Sequence, residues 1–424
     1  MDASAENGDV YLQASFTSEH PSLKSSLPSQ RFAIPDKATQ EELNAVLKSA
    51  LVKEDGKGSG FYRDFDFLIE KRLLRVPLRE FVAAHQLNTE NVLEIECVYR
   101  EPAPQPDQSV PHDDWVSARN PQTLEFEQVS TAAHHENAVK ALEVVSNREK
   151  KVLFASASSD QTVLLWEYDL GERRLTPLRS LRGHERSVEC LSANKNGDVL
   201  LSGGFDALLK IWDSSASAEG AMRPDEETGE GDAGGSKKRR RRQDAAAKPA
   251  TQTPMVTLSG HRDAITGVDF CATSNYTDAV TVSWDHSMVH WDLELNGQKG
   301  TLAANRAFTC LSVSPFNSTV VTGSVDRLVR LWDLQSKEGA MVKQSYQSHN
   351  GWVSCVQWSR TRDYLFVSGS YDNCLKLWDT RSNKAPLFDL TGHSDRVLCV
   401  DWSVDQLILS GAADSTLKSF SREV

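Results

Sequence analysis

The stretch Val199-Leu-Leu-Ser-Gly-Gly-Phe-Asp-Ala-Leu-Leu-Lys-Ile-Trp212 decides the fold, because its arrangement of polar and aromatic residues returns along the chain. A Ser or Thr is followed, after three residues, by Asp and, after five more, by an aromatic residue. Short apolar runs flank each Asp, which is the pattern of two strands around a turn. The six copies are Ser156/Asp160/Trp166, Ser202/Asp206/Trp212, Thr281/Asp285/Trp291, Thr322/Asp326/Trp332, Ser368/Asp372/Trp378 and Ser410/Asp414/Phe420.

The copies recur at a nearly constant period. Successive aromatic residues are 46, 79, 41, 46 and 42 residues apart. Four near-equal periods of this length indicate a repeat array, in which each repeat is one structural unit. The single long interval indicates an insertion, which we assign to residues 214–254.

A histidine precedes most copies, 21 to 25 residues before the Asp: His135, His184, His261, His349 and His393. Three of them stand in a Gly-His pair, and four copies end in Trp-Asp. These features resemble the WD-repeat family of β-propellers, which has seven blades and is all-β.

The resemblance implies that the loop His, strand Ser or Thr, turn Asp and strand Trp of one blade form a buried hydrogen-bonded network, which leaves no member unpartnered. The residues expected to form such networks include His184, Ser202, Asp206, Trp212, His261, Thr281, Asp285, Trp291, His349, Ser368, Asp372 and Trp378.

Two networks should be shorter, because Asn305 stands where a histidine is expected and Phe420 has no indole donor.

The alternative reading of repeated Ser, His and Asp is a hydrolase triad. A catalytic triad occurs once and needs an exposed nucleophile, so we interpret the six copies as structural. We expect no enzyme activity, no cofactor and no catalytic residues. Apolar and aromatic residues are interpreted as packing or rim contacts rather than a cofactor site: Trp284, Phe308, Trp352 and Trp358.

Composition places the chain among ordinary soluble proteins of about two domains. It has 424 residues, of which 39% are hydrophobic and 25% charged, enough for two sizeable cores. A net charge of −12 disfavours a general nucleic-acid binder. There is no membrane-span-like run and no signal-peptide-like start.

Residues 9–100 follow a different pattern, which predicts a separate α+β domain. Two alternating strands precede a helix that begins with a capping box at Thr39 and Glu42. Two further strands, a short helix and a last strand complete the order β-β-α-β-β-α-β, that of a ubiquitin-like β-grasp. The chain continues into residues 101–111, which contain four prolines and are predicted to form an extended linker. The domain therefore cannot be a conjugated modifier and should act by docking.

The phrase Phe65-Asp-Phe-Leu-Ile-Glu, with Leu73-Leu-Arg-Val-Pro-Leu and Leu87-Asn-Thr-Glu90-Asn-Val-Leu-Glu-Ile-Glu96, resembles the ubiquitin-like domain shared by Notchless and the Ytm ribosome-biogenesis proteins. The Pro-rich segment and His112-Asp-Asp-Trp115 are similar to the Ytm type, the WD-repeat subunit of the PeBoW complex. The resemblance implies partnership with the block-of-proliferation protein and pescadillo on the pre-60S particle.

The same resemblance implies that the ubiquitin-like domain docks on the metal-ion-dependent adhesion site of the AAA ATPase midasin, where an acidic residue completes the metal coordination. By alignment this ligand is Glu90. Without the resemblance, Glu90 would be read as a solvated loop acid.

The propeller is predicted over residues 112–424, with six complete repeats. Residues 112–138 are too few for a blade, so either the first blade is incomplete or a strand at 112–118 closes the ring differently. The insert is predicted to be disordered. Its basic run is interpreted first as a nuclear localisation signal, then as a contact for ribosomal RNA, and last as a solvated loop: Lys237, Lys238, Arg239, Arg240, Arg241 and Arg242.

These features favour a non-enzymatic assembly factor for the large (60S) ribosomal subunit and pre-rRNA processing, located in the nucleolus and nucleoplasm. According to this interpretation, midasin would extract the factor from the pre-60S particle by ATP-driven pulling on the ubiquitin-like domain. The rival is a ubiquitin-system adaptor whose propeller holds a substrate.

Overall fold

The computed structural model describes residues 10–19, 21–24, 27–28, 30–55, 64–89, 91–111, 116–119, 126–130, 134–148, 150–215, 249–335, 342–382 and 384–421. Three features singled out above lie outside these residues: Glu90, the basic run 237–242 and residues 112–115. Within the described ranges, no helix is long and apolar enough to cross a membrane.

The N-terminal domain is the predicted ubiquitin-like β-grasp, with one additional short helix. Its elements in chain order are strand Tyr11–Thr17, helix Pro21–Lys24, strand Phe32–Pro35, helix Gln40–Asp55, strands Phe65–Ile69 and Arg72–Leu73, helix Leu78–His85 and strand Leu93–Tyr99. The last strand lies in the middle of the five-stranded sheet, parallel to Tyr11–Thr17 and antiparallel to Phe65–Ile69. We call Leu93–Tyr99 the central strand.

Helix Gln40–Asp55 covers this sheet through Leu43 and Leu47, which are fully buried in one apolar cluster with Phe65. Its start is the predicted capping box. The backbone N–H of Thr39 donates to Oε2 of Glu42 over 2.9 Å, and the N–H of Glu42 donates to Oγ1 of Thr39 over 3.4 Å. Two of the N–H groups that a helix start leaves unpaired are thereby satisfied.

Among the described residues of the propeller, six antiparallel sheets contain four or more strands, and we number them in chain order. The first has an extra parallel strand, Ala250–Gln252, at its edge. A 3₁₀ turn, Ala272–Ser274, connects two strands of the third. Their strands, sheet by sheet, are Val139–Arg148, Lys151–Ser158, Thr162–Asp169 and Arg174–Arg182; Val188–Ala193, Val199–Gly204, Leu208–Asp213 and Val256–Ser259; Ile265–Phe270, Asp278–Ser283, Ser287–Asp292 and Gly297–Ala303; Phe308–Val313, Thr319–Ser324, Leu328–Asp333 and Val342–Gln347; Val353–Trp358, Leu365–Ser370, Leu375–Asp379 and Phe388–Leu390; and Val397–Val404, Leu407–Ala412, Thr416–Ser421 and Gln105–Pro111.

Neighbouring sheets are joined by shared apolar clusters. Leu165 of the first sheet packs with Leu200 and Trp212 of the second, and Met288 of the third packs with Trp332 of the fourth. Similar clusters join the second sheet to the third, the fourth to the fifth and the fifth to the sixth. The second to fifth sheets thus each share an apolar cluster with the sheet on either side, as in a propeller.

The sixth sheet corrects the prediction of a free linker over residues 101–111. Gln105–Pro111 is the outer strand of this sheet and runs antiparallel to Thr416–Ser421, from Gln105 opposite Ser421 to Pro111 opposite Thr416. We call it the closing strand, since it joins the two ends of the propeller chain. The physical reason is that Thr416–Ser421 would otherwise present an unpaired edge, and prolines are tolerated in an outermost strand.

The alternative closure by residues 112–118 is wrong, because residues 105–111 already occupy this edge of the sixth sheet. Val116–Arg119 instead pairs with Phe126–Ser130 in a two-stranded hairpin. Two strands at this point of the chain agree with an incomplete first blade. The predicted insert is also shorter at its C-terminal end, because Ala250–Gln252 pairs with the first sheet through backbone hydrogen bonds.

Candidate functional site

The repeated residues form the predicted networks, as the second sheet illustrates. Ser202 and Trp212 lie on adjacent strands, where Leu200 is opposite Trp212 and Ser202 is therefore its diagonal neighbour on one face. The indole Nε1 of Trp212 donates to Oγ of Ser202 over 2.8 Å. Nε2 of His184 lies 2.7 Å from the same Oγ, and its Nδ1 lies 2.8 Å from Oδ2 of Asp206.

The donors and acceptors of this network can be assigned from the ends inward. An indole only donates and an ionised carboxylate only accepts, so the direction runs from Trp212 through Ser202 and His184 to Asp206. The carboxylate also accepts the backbone N–H groups of Glu185 and Leu208. The loop that carries the histidine and the turn that carries Asp206 are therefore held together at one end of the blade.

Three other sheets contain the complete network, with corresponding distances of 2.6 to 3.1 Å: His135/Ser156/Asp160/Trp166, His261/Thr281/Asp285/Trp291 and His349/Ser368/Asp372/Trp378. The first of these is complete although His134 replaces the glycine of the Gly-His pair.

Hydrogen bonds keep the network carboxyls ionised. Burial alone would raise the pKa of Asp206, but the hydrogen bond from His184 and the backbone N–H groups outweigh it and hold the pKa below its usual value. The pKa of Asp372 is lowered in the same way, with His349 as the strongest donor against burial. At His261 burial prevails over the attraction of Asp285 and lowers the pKa of the imidazole.

The hydrolase interpretation fails on access. The side chains of Ser202, Thr281 and Ser368 are fully buried, each between an imidazole and an indole. A catalytic serine must reach a substrate carbonyl beside an oxyanion hole. These hydroxyls reach only their network partners and are structural.

The two networks predicted to be short differ from each other. In the sixth sheet, His393 contacts Ser410 at 2.7 Å and Asp414 at 2.9 Å, and only the indole donor is missing at Phe420. In the fourth sheet, Trp332 still donates to Thr322 over 2.8 Å.

There, however, Asp326 is bound by Arg330, whose Nη1 donates to Oδ1 over 3.2 Å and whose Nη2 donates to Oδ2. Arg330 was not predicted as a partner of Asp326, because a cation four residues after the motif Asp also occurs at Lys210 and Lys376, which bind other residues.

The networks also determine what one face of the propeller exposes. The motif histidine and the motif Asp of a blade contact each other, so the residues beside them in the sequence lie at the same end of that blade. We call this end the network face. At these positions lie Trp284, Tyr371 and Trp352, which are exposed, whereas Trp358 and Phe308 are buried within the sheets.

One part of the network face combines aromatic and cationic side chains. The ring of Trp352, 53% exposed, stacks on that of Tyr371, 39% exposed, with 5.8 Å between the centroids. The guanidinium of Arg396 lies 5.3 Å from the centre of the Tyr371 ring. Together with Arg306 and Arg327 these side chains line an open depression of about 900 Å³ between the fourth, fifth and sixth sheets. We call these five residues the aromatic–arginine surface.

Glu90 lies outside the described ranges, so its role as a metal ligand stays a prediction. Its neighbours along the chain are helix Leu78–His85 and the central strand, so position 90 belongs to the connection between them. Within the described residues, no three His, Cys, Asp or Glu side chains are grouped so that they could hold a metal ion on their own.

Comparison with known proteins matches both domains. Residues 175–213, 252–292, 297–333, 341–379 and 384–421 match the family model "WD domain, G-beta repeat", and residues 12–82 match "NLE (NUC135) domain". The five WD matches begin at residue 175, so the network of His135, Ser156, Asp160 and Trp166 lies before the first matched residue.

Similar curated proteins cover nearly the whole chain. The ribosome biogenesis protein WDR12 homolog of Brugia malayi is 39% identical over 94% of this chain and 93% of its own length. The corresponding homologs of Ixodes scapularis and Aedes aegypti are 37% and 36% identical, over 94% and 93% of this chain and 96% and 94% of their own.

Proposed function

This chain belongs to the WDR12 family of ribosome biogenesis proteins, and on that premise we propose that it is a non-enzymatic assembly factor of the large ribosomal subunit with two separate attachments. The propeller binds the block-of-proliferation protein, itself a propeller, in the complex with pescadillo. The ubiquitin-like domain binds midasin, whose ATP-driven pull releases the factor from the pre-60S particle.

The observation that carries the propeller attachment is the aromatic–arginine surface. Exposed stacked aromatics and arginines are the side chains that contribute most binding free energy in protein interfaces. Arginines on this surface favour a partner with acidic groups facing it. We therefore assign the contact with the block-of-proliferation protein to this part of the network face.

The midasin attachment is supported by the architecture of the N-terminal domain. It is a ubiquitin-like fold whose last strand continues through residue 100 into the propeller, so it has no free C-terminal tail to conjugate. Glu90 would supply one carboxylate oxygen to the metal of the adhesion site, a ligand suited to Mg²⁺. The metal belongs to midasin, and this chain contributes only the ligand.

Binding of the full chain to the isolated midasin adhesion domain tests this proposal. Affinity is measured with Mg²⁺ and with EDTA for the wild type, Glu90→Ala and the control Glu80→Ala, which alters an exposed acid on helix Leu78–His85. Loss of an outer-shell partner of a metal site already costs about 10- to 100-fold, so we expect Glu90→Ala and EDTA each to weaken binding at least that much and Glu80→Ala to leave it unchanged. Binding that ignores metal and Glu90 would favour the ubiquitin-system adaptor instead.

We also propose that the basic run 237–242 is a nuclear localisation signal that brings the factor to the nucleolus and nucleoplasm. Replacement of these six residues by Gln in a fluorescent fusion should move the protein to the cytoplasm. Unchanged nuclear signal with reduced association with pre-60S particles would assign the run to RNA contact.

A further inference from the structure

Glu101 is buried between the two domains. Its side chain is 4% exposed, and its Oε1 accepts from Nη1 of Arg362 over 2.8 Å and from the hydroxyl of Tyr364 over 2.6 Å. The guanidinium of Arg381 covers the Tyr364 ring at 3.9 Å from its centre and pairs with Asp379. Burial and the bond to Glu101 raise the pKa of Tyr364, so its hydroxyl stays a donor at neutral pH.

Contacts from the ubiquitin-like domain itself reach the same sheet. Nη2 of Arg75 donates to the carbonyl of Leu387 over 3.1 Å, and its guanidinium lies 5.6 Å from the centre of the Phe388 ring. Leu73 packs against the apolar cluster shared by the fifth and sixth sheets, as do Tyr364 and Phe388. The domain is therefore docked on the fifth sheet.

The chain leads directly from the proposed midasin ligand to this contact. Position 90 is followed by the central strand Leu93–Tyr99, and Glu101 comes eleven positions after Glu90. Four positions later Gln105 begins the closing strand. A pull applied at position 90 is thus carried along the central strand to Glu101, and only then to the strand that closes the propeller.

The closing strand is poorly placed to resist such a pull. The chain enters it at Gln105, which is opposite Ser421 at one end of the ladder. Force from this side loads that end pair first, and the remaining pairs open one after another. Pro106 and Pro111 have no N–H to donate, and a register shift between Ser419 and Phe420 interrupts the pairing of this strand.

The fifth sheet, by contrast, connects the two proposed attachments. Arg362 and Tyr364 come just before strand Leu365–Ser370, and Tyr371 comes just after it. Six strand residues span about 20 Å. One strand therefore joins the Glu101 contact, on the face opposite the network face, to the aromatic–arginine surface.

We propose that Glu101 is an intramolecular anchor that diverts a pull on the ubiquitin-like domain into the fifth sheet and away from the closing strand. The factor is then extracted as a folded propeller. The source of the pull rests on the proposed function, whereas the anchor rests on the contacts of Glu101 alone.

The test pulls single full-length molecules in an optical trap between position 90 and the C-terminus. The handle at position 90 is attached through Glu90→Cys in a background with Cys374→Ser and Cys399→Ser, since the other five cysteines are buried. The variant is Glu101→Gln, and the matched control is Glu94→Gln, an exposed acid on the central strand. We expect Glu101→Gln to open the closing strand at lower force and about tenfold more often at a fixed force, as for loss of one hydrogen bond to a charged group.

A second measurement covers the case in which Glu101→Gln does not fold. Tyr364→Phe removes only one donor and keeps the Arg362 pair, and hydrogen exchange then reports the closing-strand amides in the full chain. Faster exchange there, with unchanged exchange in the third sheet, supports the anchor. Equal opening force for Glu101→Gln and wild type, or unchanged closing-strand exchange in Tyr364→Phe, would overturn it. Neither measurement uses midasin, so the anchor and the midasin attachment can be shown to fail independently of each other.

Discussion

Nη1 of Arg330 lies 3.2 Å from Oδ1 of Asp326, so an arginine on the adjacent strand binds the turn carboxylate that a loop histidine binds in the other five sheets. The substitution accompanies Asn305, which stands at the position of that histidine. The turn before Leu328 keeps its form because Asp326 still accepts the N–H of Leu328. Either an arginine or a histidine can therefore bind the turn carboxylate, provided that its N–H groups lie within hydrogen-bond distance of it.

Arg330→Ala should destabilise the propeller. It leaves a half-buried carboxylate without its strongest partner, which costs about 1–3 kcal/mol in the free energy of unfolding. Urea denaturation measures this, with the exposed Arg327→Ala as control, for which we expect almost no change. Adding Asn305→His to Arg330→Ala should restore part of the loss; no recovery would show that the loop cannot bring a histidine to Asp326.

The two sheets that contain Ser368 and Ser410 offer a matched comparison. Ser368→Ala removes the partner of both His349 and Trp378. Ser410→Ala removes only the partner of His393, because the Phe420 side chain has no hydrogen-bond donor. A buried indole N–H without a partner costs about 1–3 kcal/mol. Ser368→Ala should therefore lower the free energy of unfolding more than Ser410→Ala by about that amount, and equal losses would contradict a contribution from the indole hydrogen bond.

Asp372 should contribute to the acid sensitivity of folding. Its pKa is lower in the folded chain than in the unfolded one, so the unfolded chain binds more protons as the pH falls through the ordinary Asp pKa of about 3.9. The stabilisation is fully present above about pH 5 and declines below it. The difference in unfolding free energy between wild type and Asp372→Asn should therefore shrink from pH 6 to pH 3 in urea titrations, and a constant difference over this range would contradict the prediction.

The aromatic–arginine surface should dominate binding to the block-of-proliferation protein. Trp352→Ala and Arg396→Glu are each expected to cost about 2 kcal/mol or more, roughly 30-fold in Kd. Trp284→Ala is the matched control, because Trp284 is also exposed on the network face but packs against Phe205 in another part of the ring. Calorimetric titration with the partner propeller measures all three; equal losses would place the contact elsewhere on the face.

Local and repeated features were accessible from the sequence. The spacing makes Ser202 and Trp212 diagonal neighbours when two strands flank a tight turn at Asp206, and the resemblance to WD repeats implied the rest of each network. The capping box of Thr39 and Glu42 is equally local. The β-grasp order followed from the alternation of apolar residues, and the tertiary structure added only the short helix Pro21–Lys24.

Contacts between distant parts of the chain were decided by the tertiary structure. Residues 101–111 were predicted to be an extended linker because they contain four prolines, yet residues 105–111 close the sixth sheet against residues more than 300 positions away. The pairing of Glu101 with Arg362 spans 261 positions.

The physical reason is that hydrogen-bond chemistry within one blade is specified by residues a few positions apart. An outer strand, by contrast, is recruited by whichever backbone edge remains unpaired. The blades and the ubiquitin-like domain could therefore be predicted from the sequence, whereas the contacts that join them depend on which edges meet in the folded chain.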